Sequence, residues 1–195
     1  MEKKREKQMS QRQPRDEHSG LERAASRAKE MIGGVAGKAK AAAVTDAETF
    51  VTQAAIGDLY ECEAARLAIA RSTSDAVRMI AEHMLDDHTT STHQLQSTLR
   101  SLKDAAPPPM ELDKRRREML ENLEEAEDDE FDERYLDQQV MAHREAITLF
   151  ESFASKGDDP SLRLFAIATL PGLVRHLEMV EAAQKADKKP AKKKA

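Results

Sequence analysis

The sequence predicts an all-α protein: an antiparallel four-helix bundle with one long connection that carries a short extra helix. Three observations lead there. Good helix formers (Ala, Leu, Glu, Lys, Arg, Gln and Met) dominate, while Gly and Pro number seven each in 195 residues. Aromatic residues are 4% and Trp is absent, so the core must be filled by Leu, Met and Ala. Apolar residues recur at three-and-four spacing along four long stretches bounded by turn and capping signals.

The first 20 residues are charged, lack a hydrophobic period and read as disordered. Residues 21–43 suggest a weak helix interrupted by Gly33, Gly34 and Gly37. Together they predict a mobile basic extension over residues 1–43, ahead of a bundle spanning 44–184. The first bundle helix starts near Thr45, with Glu48 three residues on completing a capping box. The second begins at about Thr73 and stops at "DAAPPPM", since three prolines cannot continue a helix. "ELDKRRREMLENLEEA" is a short charged helix in the connection. The third long helix runs from about Asp129 to Ser155. Asp159 caps the fourth, with Pro160 at its first position. Pro171 lies inside that helix and predicts a kink, and Gly172 suggests room for a neighbouring helix. Residues 185–195 form a Lys-rich disordered tail.

A net charge of -5 conceals three unlike pieces. Residues 1–40 hold 11 Lys/Arg against 6 Asp/Glu, and residues 185–195 hold 6 Lys against 1 Asp. The body between them carries 14 basic and 29 acidic residues. Its acidity opposes close approach of DNA, so specific nucleic-acid binding is not expected. The tail "KKPAKKKA" lacks an aromatic for base stacking and would make only weak, salt-sensitive contact with a polyanion. A homo-oligomer is compatible with this pattern. The single Cys62 rules out an intrachain disulfide and any cysteine cluster held by one chain. No apolar run reaches the length of a membrane span, and the basic N-terminus lacks the apolar stretch of a signal peptide. A cytoplasmic location is therefore expected.

Each helix has a buried stripe, and each stripe is interrupted by one strong polar group: Glu61, His88, His143 and His176. Counting at ~1.5 Å per residue from the two tight turns places them at one depth to within roughly 5–6 Å. Two readings follow. The four groups could hydrogen-bond to one another as a polar core network, which offsets part of their burial cost. Alternatively, one carboxylate and three imidazoles could bind a transition metal, with iron, zinc, copper and manganese favoured over calcium or magnesium. Glu63 and Asp87 are candidate outer acids behind such ligands. The Glu-x-x-His signature of di-iron bundles is absent, since Leu85, Val140 and Leu173 stand three before the histidines. His83 and His93 fall off the stripe and read as surface residues. Cys62 sits between Glu61 and Glu63, whose charges disfavour its thiolate. No catalytic motif is present, so an enzyme is not expected.

Four segments, "FVTQAAIGDLYECEAARLA", "MLDDHTTSTHQL", "FDERYLDQQVMAHREAITLFE" and "LRLFAIATLPGLVRHLEM", together resemble a bacterial ferritin-like family. It is the domain of unknown function 4142 family, often labelled outer-membrane or periplasmic. The resemblance covers nearly the whole body. It implies a ferritin-like bundle and places the family's acidic pair, Asp-His, mid-helix His and Leu-Pro…His-Leu features on Glu61 and Glu63, Asp87 and His88, His143, and Pro171 with His176. It implies no activity, and it offers a periplasmic alternative to the cytoplasm. "RAKEMIGGVAGKAKAAA" is also similar to CsbD-like stress-response proteins. The functional expectation is thus a metal-binding bundle or, alternatively, a non-enzymatic stress-related or structural protein whose tails mediate association.

Overall fold

A computed structural model describes residues 13–103 and 105–187. The lysine-rich end and its expected polyanion contact lie largely outside them, as do residues 1–12. All regular structure among the described residues is helical. The elements are α1 (Gln13–Ala41), α2 (Ala47–Arg71), α3 (Asp75–Ser101), α4 (Lys114–Glu124), α5 (Phe131–Lys156) and α6 (Pro160–Asp187). No helix among the described residues is long and apolar enough to cross a membrane.

The caps explain most helix starts. Asp46, not Thr45, caps α2, accepting the Thr49 N–H at 2.8 Å. Both residues can cap, but an N-cap serves the N–H two or three residues on, and the helix begins at Ala47. Ser74 caps α3 and Asp113 caps α4 in the same way. Asp159 accepts the Leu162 N–H at 2.9 Å, with Pro160 opening α6 as expected. This helix runs unbroken through Pro171.

Side-chain pairs give the helix directions. Cys62 meets Thr89 and Asp58 meets Thr92, so α2 and α3 are antiparallel. Arg144 pairs with Glu181 and Gln184 with Asp137, so α5 and α6 are antiparallel. Tyr60 bonds Gln138 while Phe50 packs on Phe150, so α2 and α5 are antiparallel too. The α6 helix also packs on α3.

The core has two apolar clusters. One gathers Tyr60, Ala64, Met84, Tyr135, Val140 and Val180 with the α4 residues Met119 and Leu123. The other holds Phe50, Ala54, Leu95, Phe150, Phe153 and Leu173. In α2, α3, α5 and α6, the positions between the two clusters carry a polar layer: Asp58 and Glu61, His88, His143, and His176 are all buried.

Helix α1 departs most from expectation. It is continuous from Gln13 to Ala41, through Gly33, Gly34 and Gly37 and across residues expected to be disordered. It docks along α5, running parallel to it. Arg27 pairs with Glu133 at 3.2 Å, and Glu30 with Arg134 at 3.4 Å. Farther along, Gly34 faces Met141 and Gly37 faces the Glu145 carboxylate. Gly34 and Gly37 leave the room these α5 side chains occupy, so they serve the packing instead of interrupting the helix.

Gly37→Ala is expected to destabilise by up to about 2 kcal/mol. Its Cβ would meet a carboxylate clamped by two arginines, and overpacking costs about 1–3 kcal/mol against a helix-propensity gain of about 1 kcal/mol. Gly34→Ala is expected to be neutral or stabilising, because the flexible end of Met141 can swing aside. Urea midpoints compare the two, and equal shifts would contradict the close-contact reading of Gly37.

Candidate metal centre

The polar layer is built from four of the five long helices, α2, α3, α5 and α6, and the structure brings the three histidines together. One ring nitrogen each from His88, His143 and His176 lies within 4.8 Å of the other two. The rings sit 5.4–5.6 Å apart, centroid to centroid. All three are nearly inaccessible, at 4%, 1% and 3% exposure.

Each histidine is gripped from outside by an oxygen. His88 Nδ1 donates to Asp58 Oδ1 at 2.8 Å. His143 Nδ1 donates to the Gln139 carbonyl, one turn back on its own helix, at 3.0 Å. His176 Nε2 donates to Asp87 Oδ2 at 2.8 Å. With those protons committed, the remaining nitrogens of the two neutral rings, His143 and His176, carry lone pairs. His143 Nε2 and His176 Nδ1 then face each other at 3.4 Å, with no proton between them. His88 Nε2 is buried without a partner. Two lone pairs thus meet beside the unpartnered His88 Nε2, an arrangement that repels itself unless a cation, a proton on His88 or a metal ion, stands among them. Two nitrogens on a tetrahedral zinc at ~2.0–2.1 Å would lie roughly 3.3 Å apart. An outer oxygen holding the far nitrogen of each ring is the arrangement that fixes tautomer and aim in metal-ligating histidines.

The charges agree. Burial, with a smaller push from His88, lowers His143 to about 3. Burial, with His143 beside it, lowers His176 to about 4 despite Asp87. Both imidazoles are therefore neutral near pH 7, the form that binds metals. Burial opposes protonation of His88 as well, but the Asp58 hydrogen bond and the charges of Asp58, Glu61 and Asp87 outweigh it and raise its pKa. Burial raises Glu61.

Glu61 sits differently from its expected place. Its Oε1 is 3.7 Å from His143 Nδ1, so it stands behind that ring, outside the three converging nitrogens. Its Oε2 is buried and unpartnered. Glu63 is not an outer acid. It is exposed and pairs with Arg66 at 2.7 Å, because residues two apart point to different faces of a helix. Asp87 does stand behind a histidine. Asp58, behind His88, was missed in the sequence, although it lies one turn before Glu61 on the same face. Gly172 makes no room for another helix; an added Cβ there would meet only Arg175 of its own helix, at 3.8 Å. A cavity of about 40 Å³ adjoins the layer, lined by Gly57, Asp58, Glu61, His88 and His143 among others.

A family model described as "Domain of unknown function (DUF4142)" matches residues 34–183. The chain belongs to the DUF4142 family. No curated protein and no solved structure matches it. The matched stretch of this DUF4142 domain takes in the last two turns of α1, the glycines at 34 and 37, and every residue of the polar layer.

Proposed function

We propose that this DUF4142 domain is a ferritin-like four-helix bundle that holds one transition-metal ion, of the iron, zinc, copper or manganese class, in its core. His88, His143 and His176 supply the imidazole ligands. Glu61 is the neighbouring carboxylate that balances the ion's charge, and Asp58 and Asp87 aim the rings. The observation that carries the reading is the meeting of three inward nitrogens whose far sides are already committed to oxygens. The ferritin-like reading is supported by the helix directions, with antiparallel neighbours and one long connection between α3 and α5. It is the single-crossover arrangement of such bundles.

A metal-free polar network in a stress-related or structural protein is the competing reading. It is favoured by the oxygen partner that each histidine already has. Tag-free protein analysed for bound elements and titrated with Zn²⁺ separates the two. Near one equivalent per chain is expected, lost in a His143→Ala/His176→Ala variant. No uptake, or uptake unchanged in the double variant, sinks the metal site. Under the network reading, the same substitutions lower stability and change nothing in metal content.

A further inference from the structure

His176 has a second neighbourhood on its outer side. Its Nε2 lies 2.8 Å from Asp87 Oδ2, and His83 Nε2 is 3.8 Å from the same oxygen. One donor atom from each of His83, Asp87 and His176 falls within 4.8 Å of the others. His83 and Asp87 are four residues apart on α3, so they share one helix face and can chelate together. Their side chains are 59% and 38% exposed, while that of His176 is 4% exposed. The group therefore spans the protein surface and the buried layer.

We propose that His83, Asp87 and His176 Nε2 form a second, solvent-facing station for a transition-metal cation, which captures the ion before it passes to the core. The two imidazoles and one carboxylate are a donor set suited to zinc and its neighbours. Capture itself stands on the outer geometry alone; the onward step rests on the core site proposed above. His176 links the stations because its two nitrogens face opposite ways. A neutral imidazole has one proton and one lone pair. An ion at the outer station takes the Nε2 lone pair, and the ring proton then resides on Nδ1, facing His143. An ion in the core takes the Nδ1 lone pair, and the proton resides on Nε2, held by Asp87. One ring serves one station at a time, so the outer ion must leave, or move inward, as the core fills.

Zn²⁺ binding followed with a chromophoric competitor tests this in three proteins. In the full chain, His83→Ala is expected to slow Zn²⁺ uptake by about tenfold or more while the final stoichiometry stays the same. If the core takes no metal, the outer station is the whole of the binding, and the same variant abolishes it; the failure of the core reading is thereby told apart from failure here. In a His88→Ala/His143→Ala background, shown to be folded by circular dichroism, one weaker equivalent should persist and vanish when His83→Ala is added. Uptake unaltered in rate and extent by His83→Ala overturns the proposal, as does binding that survives in the triple variant. Should the background variant fail to fold, the single substitution decides alone.

Discussion

Glu145→Ala is expected to lower the stability of the chain by about 3 kcal/mol, the lower end of the cost of breaking a buried ion pair. Its side chain is only 7% exposed. Arg115 Nη2 reaches its two oxygens at 2.7 and 2.6 Å, and Arg116 Nη2 reaches Oε1 at 3.1 Å. The same carboxylate faces Gly37 of α1. One side chain thus fastens α4 to α5 and packs against α1. Without it, Arg116 keeps Asp113 at 2.8 Å, whereas Arg115 retains only the Met119 sulfur at 3.9 Å. A half-buried guanidinium is left without a counter-charge, and Gly37 faces a hole. Urea unfolding of Glu145→Ala measures the loss. Adding Arg115→Ala should cost less than the sum of the two single changes, since the orphaned charge is then gone. A loss under about 1 kcal/mol, the worth of a surface pair, would show that the carboxylate does not hold these helices together.

Phe50→Ala is expected to cost about 3–5 kcal/mol, the usual range for emptying an aromatic site in a core. Phe50 is fully buried. It stacks on Phe153 with ring centroids 4.0 Å apart, and meets Phe150 and Phe165 edge-on at 5.1 and 6.3 Å. Four of the chain's five phenylalanines thus close one end of the molecule, joining α2, α5 and α6. Phe50→Leu should cost roughly 1–1.5 kcal/mol, because most of the volume remains. Thermal or urea unfolding reads both. A loss below ~2 kcal/mol for the alanine variant would mean that the neighbouring rings collapse into the gap.

The helices were legible because their signals are local: an apolar period, caps such as Asp159, and prolines after α3. The polar layer was legible for the same reason, since His88, His143 and His176 each interrupt an apolar stripe. What failed depended on distant partners. Gly34 and Gly37 read as breakers, because nothing near them reveals Met141 and Glu145 waiting on α5. Asp58 carries no local signal, because only His88 across the hairpin marks it as part of the layer. Asp87 and His88 are adjacent in sequence and so diverge around the helix, one toward α6 and one toward the centre. Glu63 was avoidable, since its spacing from Glu61 already places it on another face.

The spans of the polar contacts have a consequence for assembly. Asp58 and His88 are 30 residues apart, and His143 and His176 are 33 apart; both contacts lie inside a helical hairpin. Those joining the hairpins are far longer, 78 residues for Tyr60 with Gln138 and 89 for His176 with Asp87. Short chain closures cost less entropy than long ones, and local contacts form faster. Each hairpin can thus set its own register before it meets the other. The three inward nitrogens come together only when the halves close, so an ion seated among them would mark the final fastening of the chain.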